Sequence, residues 1–240
     1  VRRGHHIIHF RIGINRWIIR LNRSCVYNYR LVAYLLTMAN PLLVFLHGFG
    51  EDARMWDDFV PHFSWPYSYC CPNYAAWSDC DTLSAYSHKI IAALPSDVLL
   101  TIVGHSMGGY IALEMARLFP ERISRVILLH STSSADSVEK KIARDKTIVF
   151  LQNHGVRSFL GPFVANLFAP DFVKSHPNLI RELSLRYTNL PADALIAATE
   201  AMKKRSDSWD YLAKTTIPFL FILGDQDALI QLDMSEYSER

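Results

Sequence analysis

A serine lies between two glycines in the pentapeptide Gly104 to Gly108, GHSMG, which follows an aliphatic and β-branched segment. A serine hydroxyl is a weak nucleophile, so an enzyme that uses one presents it on a sharp turn between a strand and a helix. Glycines at the flanking positions let the strand and the helix approach closely. The pattern predicts that Ser106 is a catalytic nucleophile that attacks a carbonyl carbon.

A second glycine-rich stretch, His47 to Gly50 (HGFG), follows an earlier aliphatic segment. Attack on a carbonyl builds negative charge on its oxygen, which two preorganised backbone N–H groups must stabilise. We expect the amides of Phe49 and Met107 to be these donors. A histidine beside such a loop more often shapes the loop by hydrogen bonding, so His47 and His105 are expected to have structural roles.

From Pro41 onward, short apolar runs alternate with helical patterns, and these segments must position the residues named above. The alternation predicts an α/β fold with a mostly parallel sheet flanked by helices. Predicted strands are 42–46, 67–71, 98–103, 125–129 and 217–223, and predicted helices include 51–63, 82–94 and 107–118. Only amphipathic helical stretches lie between Ser131 and Asp210. They predict a cap over the carboxyl ends of the strands, where such sheets bind ligands. The predicted division is a leader (1–37), a core in two parts (38–134 and 211–240) and a cap (135–210).

Charge is distributed unevenly along the chain. Seven of the 25 basic residues lie in residues 1–37, which hold no acid, so the remaining 18 bases face all 23 acids. Binding of nucleic acid by the main body is therefore not expected, since it needs a basic surface. No apolar run is long enough to cross a membrane, and no membrane partner is expected.

Four cysteines, Cys25, Cys70, Cys71 and Cys80, form neither a disulfide framework nor a zinc-binding pattern. Reduced thiols and a cytoplasmic location fit this pattern best. No cofactor or metal site is indicated.

The basic leader, residues 1–37, matches no class of targeting segment. One interpretation is a two-stranded hairpin added to the edge of the sheet, because apolar residues alternate around Phe10 to Ile14 and again at Trp17 and Ile19. The other is that Met38 is the true start and that residues 1–37 are upstream sequence.

Three segments carry a family resemblance: LLVFLHGFG, TIVGHSMGGYIALEMARLFPERISRVILLHS and IPFLFILGDQDALI. Together they resemble the α/β-hydrolase superfamily, in particular capped serine esterases such as the pimeloyl-ACP methyl ester esterases and carboxylesterases. The resemblance spans Pro41 to about Leu232. It implies the α/β-hydrolase fold and a triad in the chain order Ser, Asp, His. The acid it implies is Asp227, with Asp225 as the second choice.

The chain departs from this pattern in one respect. The family's histidine follows the acid, whereas the last histidine here is His176. The expectation is a truncated chain that lacks its last strand and helix, with strand 217–223 left as an exposed apolar edge. Since His130, His154 and His176 are not expected to substitute, the chain is predicted to be nearly inactive.

The resemblance implies a serine hydrolase that cleaves carboxylic esters or thioesters through an acyl-enzyme intermediate. The alternatives are a non-catalytic ligand-binding protein, or an acyltransferase, C–C hydrolase or perhydrolase that uses the same residues. The expected partner is a small ester or thioester with an apolar acyl or alkyl group. That expectation rests on five apolar side chains of the cap: Phe159, Phe163, Leu167, Phe168 and Phe172.

Overall fold

Seven strands form one sheet in the computed structural model, which describes residues 8–11, 16–21, 41–62, 68–224, 226–227 and 229–230. They are β1 (Ile8–Arg11), β2 (Arg16–Leu21), β3 (Leu42–Leu46), β4 (Tyr69–Cys70), β5 (Leu100–His105), β6 (Ile123–Leu129) and β7 (Phe219–Gly224). Their order across the sheet is β1-β2-β7-β6-β5-β3-β4. Only β1 and β2, among these described strands, pair antiparallel. The predicted mostly parallel sheet flanked by helices is confirmed.

The central strands are apolar on both faces because helices or turns cover both sides of the sheet. Successive residues point to opposite faces. Accordingly, Val44 and Ile102 belong to one buried cluster, while Phe45 and Val103 belong to a second one across the sheet. This packing places the carboxyl ends of β3, β5, β6 and β7 along one edge.

Seven α-helices lie within the described residues. They are α1 (Leu83–Ala92), α2 (Met107–Leu118), α3 (Val138–Ala165), α4 (Pro170–Ser175), α5 (Pro177–Arg186), α6 (Ala192–Lys204) and α7 (Trp209–Lys214). Helix α3 is interrupted at Gly155, whose φ is 72°. We call α3 to α6 the helical insertion; these four helices follow β6 and precede α7. In the described part of the chain, no helix combines the length and the apolarity that crossing a membrane requires.

The predicted helix over 51–63 is wrong. Two short 3-10 segments, Ala53–Trp56 and Val60–His62, take its place. The Asp52 side chain accepts a hydrogen bond from Arg54 N–H and fixes the first turn, and Pro61 has no N–H with which to continue a helix. The apolar spacing that suggested a helix instead buries Trp56 and Val60 against the sheet.

The predicted exposed edge at residues 217–223 is also wrong for this structure. Strand β2 pairs in parallel with β7, in the register Arg16 with Phe219 through Leu21 with Gly224. Strand β1 completes a hairpin with β2, which matches the hairpin interpretation of the leader. The start at Met38 stays a prediction, and Cys25, Asp225 and most of the leader lie outside the described residues.

Candidate active site

Ser106 lies at the turn between β5 and α2, with φ 51° and ψ −115°. A residue other than glycine at such a positive φ is strained by about 1–3 kcal/mol and persists only where its surroundings hold it. Two hydrogen bonds hold this turn. Ser106 N–H donates to the carbonyl of Leu129 at 2.9 Å, and Ser131 Oγ donates to the carbonyl of Ser106 at 2.9 Å. The sequence prediction of a sharp strand-to-helix turn at this serine agrees with this geometry.

The flanking glycines are required by close backbone contacts. A Cβ on Gly104 would lie 2.4 Å from the carbonyl oxygen of Gly108. A Cβ on Gly108 would lie 2.4 Å from the carbonyl oxygen of Leu46, at the end of β3. Helix α2 therefore begins directly against β5 and β3, which places Met107 N–H beside the loop that follows β3.

That loop holds Phe49 and is shaped by His47. His47 Nδ1–H donates to the carbonyl of Gly48 at 2.9 Å, and its Nε2 accepts from Tyr74 N–H at 3.4 Å. The ring also stacks on Tyr74 at a centroid distance of 3.7 Å. Burial lowers the pKa of His47 to about 4, so the ring is neutral at pH 7. Both ring nitrogens are occupied, which supports the expected structural role.

Glu51 is a residue that sequence reasoning missed. Its Oε2 accepts hydrogen bonds from Gly48 N–H at 2.9 Å and from His105 Nδ1–H at 3.0 Å. The contact with His105 joins residues 54 positions apart. The sequence does show a carboxylate directly after the HGFG stretch. That its partner is His105 follows only from the order of the strands in the sheet.

Asp227 lies just beyond the end of β7, with its side chain 12% exposed. Its Oδ2 accepts a hydrogen bond from His130 Nδ1–H at 2.8 Å, and its Oδ1 accepts from the N–H groups of Leu229 and Ile230, each at 2.9 Å. Burial opposes the charge, but these hydrogen bonds, led by that of His130, hold the pKa of Asp227 below its usual value. Asp227 is therefore an ionised carboxylate bound to an imidazole.

His130 follows β6 directly and has φ 45°, a second strained residue beside the first. The register pairs His105, the last residue of β5, with Leu129, the last residue of β6. Ser106 and His130 are therefore the first residues after two adjacent strands. Adjacent strands lie about 4.8 Å apart. Because β6 lies between β5 and β7, His130 lies between the serine and Asp227.

The other histidines considered from the sequence lie in the helical insertion. The ring of His154 contacts Phe150 at 4.7 Å, and that of His176 stacks on Phe172 at 4.2 Å. Neither forms a described contact with Ser106 or Asp227. Of these three histidines, His130 is the one with a described contact to Asp227.

Phe159 and Phe163 of α3 pack edge-on against Phe49, with ring centroids 5.9 Å and 5.7 Å away. The helical insertion therefore contacts the loop that carries one predicted oxyanion donor. Phe168 stacks on Phe172 instead, at 5.4 Å, and Leu167 is exposed. Of the five apolar residues considered from the sequence, two contact Phe49.

No group of three metal-ligating side chains occurs within the described residues.

Comparison with known proteins places this chain in a family. A family model described as the alpha/beta hydrolase fold matches residues 41–240. The chain belongs to the α/β hydrolase fold family. The chain is 25% identical over 195 residues to 3-oxoadipate enol-lactonase 2 of Acinetobacter baylyi, a match that covers 78% of the chain and 72% of that protein.

Some other relatives of this chain are named as esterases. It is 26% identical over 221 residues to a pimeloyl-[acyl-carrier protein] methyl ester esterase of Neisseria meningitidis, covering 81% of the chain and 78% of that protein. Among solved structures, a thermophilic esterase from Thermogutta terrifontis superposes with a TM-score of 0.69 at 23% identity, covering 77% of this chain and 71% of that one. The last similarity concerns the fold alone.

Proposed function

We propose that this protein is a serine hydrolase that cleaves carboxylic esters or thioesters through an acyl-enzyme intermediate. The observation that carries the proposal is the strained Ser106 beside the hydrogen-bonded pair His130 and Asp227, at the carboxyl ends of three adjacent strands. Nucleophilic acyl transfer needs a nucleophile, a base that takes its proton and a carboxylate that orients the base. Relatives named as esterases and a lactonase support the same reaction class.

In the proposed reaction, Ser106 Oγ attacks the ester carbonyl while an imidazole takes its proton. The carbonyl oxygen gains negative charge, which the N–H groups of Phe49 and Met107 stabilise. The same imidazole then protonates the leaving alcohol or thiol. Water hydrolyses the acyl-serine in a second step of the same kind.

His130 is the imidazole that we assign to this role. The near-inactivity predicted from the sequence assumed that no histidine of the chain reaches the acid, whereas His130 Nδ1 is bound to Asp227. That bond leaves Nε2 for the serine, as in other triads. The chain order Ser, His, Asp differs from the order that the family resemblance implies, but triads of equal geometry occur in several orders.

The structure describes no hydrogen bond between the side chains of Ser106 and His130. The Ser106 side chain also forms no capping hydrogen bond with α2. The proposed reaction therefore requires a change of side-chain torsion that brings Ser106 Oγ to His130 Nε2 while Nδ1 stays bound to Asp227. Such bonds often form only in the complex with substrate. The His130 side chain is 37% exposed, so solvent borders the ring and leaves room for such a change.

We propose that the helical insertion acts as a cap and that the substrate has an apolar acyl or alkyl group. Phe159 and Phe163 lie against Phe49, so an acyl chain on Ser106 would meet aromatic rings. The cytoplasmic location and the domain bounds predicted from the sequence stay predictions.

The proposal is tested by the turnover of p-nitrophenyl butyrate and of a butyryl thioester by the 240-residue chain and by its Ser106→Ala variant. We expect turnover by the parent chain and none above background by the variant. Ser175→Ala, an exposed serine on α4, is the matched control. Binding of the ester without turnover would favour a ligand-binding protein, and transfer of the acyl group to an alcohol in preference to water would favour an acyltransferase.

A further inference from the structure

A single oxygen atom joins the two segments that would hold the oxyanion. Glu51 Oε2 accepts from Gly48 N–H at 2.9 Å and from His105 Nδ1–H at 3.0 Å. Gly48 directly precedes Phe49, and His105 directly precedes Ser106. The two loops that carry the proposed donors are therefore connected through one carboxylate.

The local backbone is built to bring this carboxylate to that place. Gly50 has φ 73°, a value that suits glycine, and the turn it makes lets the Glu51 side chain fold back onto Gly48 N–H. A Cβ on Gly48 would lie 2.6 Å from Glu51 Oε2 and 2.8 Å from His105 Nδ1. Any side chain at position 48 would therefore displace the carboxylate or the imidazole.

The contact between the His105 imidazole and the Glu51 carboxylate is largely shielded from solvent. The side chains of His105 and Glu51 are 22% and 17% exposed. Burial opposes both charges, yet Glu51 holds the pKa of His105 above its usual value, and His105 holds the pKa of Glu51 below its own. A shielded charge that loses its partner is costly, so this pair resists opening.

We propose that Glu51 is a positioning residue of the hydrolase reaction: its carboxylate fixes the loop after β3 against the turn after β5, and so sets the separation of the Phe49 and Met107 amides. This inference rests on the proposed function. Glu51 acts through Gly48 and His105 and takes no proton from the substrate.

A residue with this role affects the transition state more than the bound substrate. The two amides must face the oxygen as its charge develops, and loss of one donor outright costs about 100- to 1,000-fold in kcat. Displacement of a donor costs less, so we expect a loss of about tenfold or more. Ground-state binding does not use the full charge on oxygen, so KM should change little.

The test uses Glu51→Gln, which keeps the shape and an oxygen for Gly48 N–H but removes the charge that holds His105. Its kcat for p-nitrophenyl butyrate and its rate of phosphonylation by a fluorophosphonate should both fall about tenfold or more per titrated active site, with KM within about twofold. Glu114→Gln is the control, since Glu114 is 18% exposed, pairs with Arg117 on α2 and contacts neither loop. The control should behave as the parent chain.

A second variant separates positioning from folding. If Glu51 and His105 act through one contact, the double variant Glu51→Gln, His105→Asn should be no slower than the slower single variant. A parent-like kcat in Glu51→Gln would overturn the inference and leave the proposed function standing. So would a loss that appears only as a lower Tm and fewer titratable sites, with a normal rate per site.

Failure of the proposed function has a different signature. In that case the parent chain itself neither turns over esters nor reacts with the fluorophosphonate, and the positioning role falls with it. The contact between Glu51 and His105 is tested separately by NMR titration of His105, whose pKa should drop in Glu51→Gln. An unchanged titration would overturn the inference whatever the activity of the chain.

Discussion

His130 Nδ1 lies 2.8 Å from Asp227 Oδ2, although the two residues are 97 positions apart in the chain. They meet because β6 and β7 are neighbours and end at the same edge of the sheet. Gly224, the last residue of β7, leaves room for the ring: a Cβ there would lie 3.1 Å from His130 Cε1. The sheet thus brings an imidazole to a carboxylate next to the strand that carries Ser106.

Replacement of His130 by alanine tests its assignment as the base. Because general base assistance is worth about 100- to 10,000-fold, His130→Ala should lose ester turnover by about 100-fold or more. Added imidazole should restore part of the loss, since a small base can enter the space left by the ring. His88→Ala, an exposed histidine on α1, is the control.

Equal turnover by the parent chain and His130→Ala would refute this assignment. Should both be at background, the near-inactivity predicted from the sequence would stand, and His130 would serve only to hold Asp227.

A buried carboxylate contacts two arginines where the helical insertion begins and ends. Asp136, whose side chain is 1% exposed, lies 2.8 Å from Arg205 and 3.1 Å from Arg144. Arg205 also lies 4.1 Å over the ring of Tyr110. Asp136→Asn should lower the free energy of unfolding by about 3 kcal/mol, because it leaves Arg205 buried beside a neutral group. Urea denaturation measures this change.

Burial opposes the charge of Asp136, but Arg205 and Arg144 hold its pKa below the usual value. A carboxyl group with a depressed pKa stabilises the fold above the unfolded pKa of about 3.9 and loses that effect as the pH falls through the folded value. The difference between the parent chain and Asp136→Asn should therefore be constant near pH 7 and shrink below about pH 4. An Asp79→Asn control, in an exposed pair with Lys89, should change stability far less.

The turn at Ser106 should tolerate no side chain at position 108. Gly108→Ala places a Cβ 2.4 Å from the carbonyl oxygen of Leu46, so α2 must shift away from β3. We expect a loss of about 1–3 kcal/mol in stability, together with a large loss of turnover. Gly161→Ala in α3 is the matched control, since its Cβ meets nothing within 4 Å and alanine favours a helix. Equal Tm and activity in both variants would contradict the described close approach.

Local features of this protein were predictable from the sequence. The strand, the glycines and the helix around Ser106 are contiguous in the chain, so their pattern alone indicated the turn and the bounds of α2. The family resemblance implied Asp227 as the acid, three residues after Gly224. The strands β3, β5, β6 and β7 were found because buried parallel strands are short continuous apolar runs.

Features that depend on contacts distant in sequence were not predictable. The approach of His130 to Asp227 depends on the order of β5, β6 and β7, which periodicity does not reveal. Glu51 meets His105 only because β3 and β5 are neighbours. The pairing of β2 with β7 brings together the opposite ends of the described chain. The prediction of a helix over 51–63 was wrong because apolar spacing does not distinguish a helix from 3-10 turns.

Ser106 is the proposed nucleophile, and the most direct test of this role is to find which residue a serine-directed reagent labels. The 240-residue chain is treated with a fluorophosphonate, digested, and analysed by mass spectrometry. We expect one phosphonylated peptide, modified at Ser106, and no labelling of the folded Ser106→Ala variant. Labelling of Ser106→Ala at the rate of the parent chain, or modification of a different residue in the parent, would contradict it.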